Sequence, residues 1–121
     1  MPTVELTAEN FTQTIDDNDI VLVDFWAEWC GPCRQFAPIY ERTAAKHPDV
    51  VFGKVDTEAQ QELAGAFNIM SIPTLMIFRD KVALFAQPGL LPEEALDDLI
   101  RQARELDMDE VRAKIAAQAS N

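Results

Sequence analysis

Cysteine, histidine and positive charge are all scarce in this chain. Cys30, Cys33 and His47 are its whole supply of cysteine and histidine ligands. A structural zinc site wants four ligands, so only a site shared across a dimer could complete the set, and a metal-free protein is expected. Two cysteines also make no framework of the kind that staples small secreted domains. Lys and Arg number 10 against 21 Asp and Glu, a net charge of −11. The excess is spread along the chain, −7 over residues 1–60 and −4 over 61–121, with no basic cluster. That excludes nucleic acid or anionic lipid held through a basic face. No apolar run approaches the roughly 18 residues of a membrane span. The start, Met1-Pro2-Thr3-Val4-Glu5-Leu6, has neither the basic nor the apolar region of a secretory signal. A soluble, cytoplasmic protein is expected, with no membrane or nucleic-acid partner.

What is present is an ordinary globular composition. Hydrophobic residues make up 48% of 121 residues, enough for one domain with a real core. Residues 3–6 read as a short strand, and Thr7 as the cap of a helix to about Asp16 with Phe11 and Ile15 inward. Ile20–Trp26 is nearly all β-branched or aromatic without alternation, the pattern of a strand covered on both faces. A long helical pattern follows to about Lys46, with Phe36, Ile39, Tyr40, Thr43 and Ala44 on one side and Pro38 inside. Residues 50–55 form a second strand, parallel to the first as the end of a βαβ unit. Thr57 or Glu58 opens a third helix with Ala59, Leu63, Ala66 and Phe67 inward. Residues 74–78 and 82–86 form a hairpin whose turn lacks the usual glycine. Pro92 starts a helix faced by Leu96, Leu99, Ile100, Ala103 and Leu106. From Asp107, Met108, Val111 and Ile115 recur at helical spacing and need a docking surface. The order predicts an α/β protein, one central mixed sheet with helices on both faces.

The chemistry concentrates in Trp29-Cys30-Gly31-Pro32-Cys33, where the first long strand meets the long helix. A cysteine at a helix N-terminus has its thiolate favoured by free backbone N–H groups and the positive end of the dipole. A second thiol one turn later lies within disulfide reach. In a reducing compartment such a lone pair is reactive rather than structural, so dithiol–disulfide exchange is the expected chemistry. Asp24, inside Val-Leu-Val-Asp-Phe-Trp, is an acid in a buried strand, which raises its pKa and suits it to proton transfer. A strand-end acid kept for structure alone is the alternative.

Residues 23–33 (Val-Asp-Phe-Trp-Ala-Glu-Trp-Cys-Gly-Pro-Cys), Ala37-Pro38, Lys54-Val55-Asp56, Ser71-Ile72-Pro73-Thr74 and Pro88-Gly89 together resemble the thioredoxin family. The resemblance runs from about residue 3 to residue 106 and implies the thioredoxin fold. It also implies reduction of disulfides in protein substrates, with no bound cofactor and electrons drawn from NADPH through a flavin-containing thioredoxin reductase. By the same resemblance Cys30 is the exposed attacking thiol and Cys33 the buried resolving one. Asp24 relays the proton of Cys33, and Lys54 tunes that acid. Pro73 matches a cis proline facing the cysteines. Trp29, Ile72, Pro73 and Gly89 form an apolar rim around Cys30, with Gly31 and Pro32 also on the substrate side and Trp26 in the core. Gly31-Pro32 resembles the reducing members, since oxidising and isomerising relatives usually carry a histidine there.

Arg34, Met70-Ser71 and Gln87-Pro88 depart from the commonest family pattern, which bears on partners and not on the chemistry. The expected organisation is a thioredoxin domain over 1–106, a helical extension over 107–121 packed on it, and a monomer. The competing reading is a chaperone or assembly module on the same fold with secondary redox activity. Intact Cys30, Cys33, Asp24 and Pro73 weigh against it.

Overall fold

The computed structural model describes residues 2–119; Met1, Ser120 and Asn121, the ends of the expected domain and extension, lie outside them. In chain order the elements are β1 (Thr3–Glu5), α1 (Phe11–Asp17), β2 (Ile20–Trp26), α2 (Gly31–Lys46) and β3 (Val51–Asp56). They continue with α3 (Gln61–Ala66), β4 (Thr74–Arg79), β5 (Val82–Pro88), α4 (Glu93–Glu105) and α5 (Met108–Ala119). The strands form one mixed sheet in the order β1-β3-β2-β4-β5. β2 lies at its centre, parallel to β3 and antiparallel to β4, with Asp24 opposite Lys54 on one side and Leu75 on the other.

The unalternating β2 sequence has a direct structural meaning. Successive side chains of a strand point to opposite faces. Ile20 and Leu22 enter a core with Phe36, Tyr40, Ile77, Leu96 and Ile100, under α2 and α4. Val21, Val23 and Phe25 enter a second core with Leu6, Phe11, Ile15, Ala64 and Phe78, under α1 and α3. Both faces are covered, so both sets of positions are apolar. The single exception is Asp24. On β3, Gly53 is required by close approach, because a Cβ there would lie 2.3 Å from the Leu6 Cδ1 atom.

Three helix starts differ from the sequence expectation, two of them because side chains close a turn ahead of the helix. Thr7 heads a turn, accepting the Asn10 and Phe11 N–H groups at its carbonyl, while the Asn10 carboxamide takes the Thr7 N–H at 2.7 Å. α1 therefore begins at Phe11. Asp56 accepts the N–H groups of Glu58 and Ala59, which closes a turn, and α3 begins only at Gln61. Its inward residues are Leu63, Ala64 and Phe67, while Ala59 and Ala66 face solvent. Pro92 precedes α4 as its cap rather than lying in its first turn. The β4–β5 turn is two residues, Asp80 and Lys81, with φ of 49° and 71°. That is the mirror-image turn hairpin twist favours, made here without glycine.

At the far end of the sheet, the Arg79 guanidinium donates to the carbonyls of Ala103, Arg104 and Leu106 and so caps α4. α5 follows at once. Its Met108 is buried, Val111 is half-buried and Ile115 is largely exposed, while Arg112 lies 3.8 Å from Asp80. Among the described residues no helix is long and apolar enough to cross a membrane.

Candidate active site

The end of β2 and the start of α2 bring Cys30 and Cys33 together as a disulfide with Cα atoms 5.2 Å apart. Cys30 is the N-cap of α2, in extended conformation, and its sulfur accepts the Cys33 N–H at 3.2 Å. An orphan N–H of the first helical turn thus points at this sulfur, where it and the helix dipole favour a thiolate once the disulfide is opened. Pro32, next to the start of α2, has no N–H to leave unpaired there. The Cys30 sulfur also lies 3.7 Å from the Ile72 carbonyl oxygen.

Residue area does not separate the two cysteines: Cys30 is 4% exposed and Cys33 is 3%. Placement does. Cys30 lines a groove of about 420 Å³ with Trp29, Gly31, Pro32 and Ile72, and Cys33 is absent from its wall. Trp29 is 66% exposed, and its indole N–H donates to the Glu58 carboxylate at 2.6 Å. The other wall is the loop Ile69–Ile72. The Ile72–Pro73 peptide bond is cis. Pro73 itself is buried, and Gly89 lies outside the groove, its N–H donated to the Pro73 carbonyl at 2.8 Å. Of the four residues expected to form a rim around Cys30, Trp29 and Ile72 line this groove and Pro73 and Gly89 lie outside its lining. Thr57, Ala64, Ile69, Met70 and Ser71 complete the wall. Met70 and Ser71 are among the departures from the family pattern that bear on partners, whereas nothing in the sequence marks Thr57, Ala64 or Ile69 as contact residues.

Asp24 is 1% exposed, and neither carboxylate oxygen has a hydrogen-bond partner among the described residues. Burial raises its pKa to about 7, with the Lys54 ammonium pulling it part of the way down. Lys54 also sits 4.6 Å from the centre of the Trp26 ring, which is half-buried rather than fully in the core. Below them, the Tyr40 hydroxyl donates to the Gly53 carbonyl at 2.8 Å. Burial pushes that hydroxyl well above its ordinary pKa, so it remains a donor. His47 caps the C-terminus of α2 and pairs with Asp97 at 3.0 Å, remote from the cysteines in the fold. Among the described residues no three metal-type side chains cluster.

A disulfide capping a helix at the edge of an open groove, in a mixed α/β sheet with a buried acid on the central strand, defines a thiol–disulfide exchange protein. A model of the thioredoxin family matches residues 2–102. A protein described as putative thioredoxin 2 of Streptomyces coelicolor is 71% identical over 116 residues, spanning 96% of this chain and 87% of that one. Thioredoxin of Bacillus subtilis is 37% identical over 103 residues, 84% of this chain and 98% of its own. Among solved structures, a mutant thioredoxin of Halobacterium salinarum superposes with a TM-score of 0.79 at 35% identity, covering 88% of this chain and 95% of that one. The chain belongs to the thioredoxin family. It is a thiol–disulfide oxidoreductase that reduces protein disulfides through its Cys-Gly-Pro-Cys pair and carries the thioredoxin fold. The family binds no cofactor of its own, and its partners are in general terms disulfide-bearing proteins and a reductase.

Proposed function

We propose that Cys30 attacks and Cys33 resolves. The Cys30 thiolate adds to one sulfur of a substrate disulfide, forming a mixed disulfide and expelling the first substrate thiolate. The Cys33 thiolate then attacks the Cys30 sulfur, closing the protein disulfide and releasing the second substrate thiolate. Two electrons pass from protein to substrate. The observation that carries this order is that Cys30 lines the groove and takes the Cys33 N–H, whereas Cys33 does neither.

Asp24 is the proton acceptor for Cys33 in this reading. A carboxyl with a pKa of about 7 and no hydrogen-bond partner among the described residues is poised near neutral pH. Lys54 tunes it electrostatically. Trp29, Gly31, Pro32 and Ile72 contact the substrate, whose extended chain pairs with the Ile72 backbone. Pro73 and Gly89, linked by the hydrogen bond from the Gly89 N–H to the Pro73 carbonyl, belong to the same substrate-binding surface in this reading. Electrons come from NADPH through a flavin-containing thioredoxin reductase, in the cytoplasm, with the protein acting as a monomer. Residues 1–106 form the redox domain and 107–121 an extension packed on it.

Insulin reduction driven by NADPH and a thioredoxin reductase tests the assignment. Cys30→Ser is expected to abolish turnover, and Cys33→Ser to accumulate covalent complexes on non-reducing gels. Turnover by Cys30→Ser equal to that of the unaltered protein would remove Cys30 as the attacking group. Failure of Cys33→Ser to trap any adduct would overturn the assigned order.

A further inference from the structure

A second groove, of about 300 Å³, lies beside the Cys30 groove, between the end of α3 and the end of β5. Ile69, Met70 and Ser71 line both, so this loop is the ridge between them. In a chain with 26% charged residues, neither groove is lined by a single Asp, Glu, Lys or Arg. Depletion of charge, with Met and aromatic side chains present, is the composition of an interface centre.

At the crest, Met70 is 92% exposed. Slack in the loop does not account for this. Asn68 takes a left-handed conformation at φ 54°, and the N–H groups of Asn68 and Ile69 donate to the carbonyls of Gly65 and Ala64. Ile69 is thereby turned against the Phe11–Phe25 core. On the other side the Thr74 hydroxyl donates to the Ser71 carbonyl at 2.6 Å. A backbone pinned at both ends holds a large apolar side chain in water, directly between two uncharged grooves and beside the loop that faces Cys30.

We propose that Met70 is a specificity-determining residue of the exchange reaction, the ridge against which a substrate polypeptide lays an apolar side chain next to its reactive half-cystine. The substrate chain runs from the Cys30 groove over Met70 into the second groove. This rests on Cys30 being the group that attacks. The unbranched thioether has three rotatable bonds and packs against many apolar shapes, so it selects a class of side chain and not one residue. Polar side chains of equal size gain nothing there and lose water contacts.

The test uses pairs of short cystine peptides differing only by Leu or the near-isosteric, uncharged Asn, placed before the half-cystine in one series and after it in another. Apolar pockets discriminate such pairs by about tenfold in kcat/KM, and that ratio is expected in at least one series. Met70→Ala is expected to bring the ratio close to one, and Met70→Leu to keep it. No preference in either series, or a ratio unchanged in Met70→Ala, overturns the role of Met70 while leaving the reductase reading intact. Absence of turnover with every peptide overturns the reductase reading and this one with it.

Discussion

Asp24 lies within the most buried strand, where both chain neighbours are apolar and, among the described residues, no hydrogen bond offsets its charge. Its pKa of about 7 has a consequence for stability as well as for catalysis. The unfolded carboxyl titrates near 3.8, the ordinary aspartate value, so between that pH and about 7 the folded state holds a proton that the unfolded state has lost. Stability therefore falls as pH rises through this window and levels off above it. At 1.36 kcal/mol for each unit, the full difference is on the order of 4 kcal/mol. Asp24→Asn, which cannot ionise, is expected to match the unaltered protein near pH 4 and exceed it in urea midpoint at pH 8. A gap that stays constant from pH 4 to pH 8 would refute the buried ionisation. The same variant is expected to slow resolution of mixed disulfides at pH 7, since in the proposed mechanism Cys33 loses its proton acceptor. At this scale the sequence was informative: an acid inside Val-Leu-Val-Asp-Phe-Trp is conspicuous because its environment is local. Lys54 was less so, because its register opposite Asp24 is set by strand pairing.

Elements with strong periodicity were legible for the same local reason. β2, α2 and the hairpin strands follow from residue pattern within one to two residues. The starts of α1 and α3 were not, because Asn10 and Asp56 use their side chains to close turns that a propensity pattern reads as helix. The β4–β5 turn shows the opposite effect. Its two residues lack glycine, yet tertiary pairing imposes positive φ on both Asp80 and Lys81. A left-handed conformation costs a non-glycine residue about 1–2 kcal/mol, partly offset in a glycine variant by the greater freedom of its unfolded chain. Lys81→Gly is accordingly expected to raise stability by about 0.5–1 kcal/mol, read as a higher urea midpoint at unchanged slope. A lower midpoint would mean that the Lys81 side chain contributes more than the strain it carries.

Across the whole molecule, what no linear pattern assembles is the groove. Its walls come from residues 29–32, from Thr57 and Ala64, and from 69–72, which meet only because β2, α3 and the loop before β4 converge at one end of the sheet. The opposite end poses the other global question, the relation of α5 to the domain. The family model stops at residue 102, whereas the match to the Streptomyces coelicolor protein, covering 96% of this chain, takes in most of the segment after Leu106. Contact of α5 with the domain fades along its length, from buried Met108 through half-buried Val111 to exposed Ile115. The stabilising part of the proposed extension is thus its first turn, held by Met108 and by Arg79 just before it. Burial of a methionine at such a site is worth about 2 kcal/mol against alanine, at the low end because the site lies at the margin of the domain. Met108→Ala is expected to lose about that much in urea unfolding. Removal of residues 113–121 is expected to leave the urea midpoint and insulin reduction unchanged, because residues 113–119 are exposed. A truncated chain destabilised as much as Met108→Ala would show instead that docking continues along the whole helix. The extension would then be part of the core and not an appendage to it.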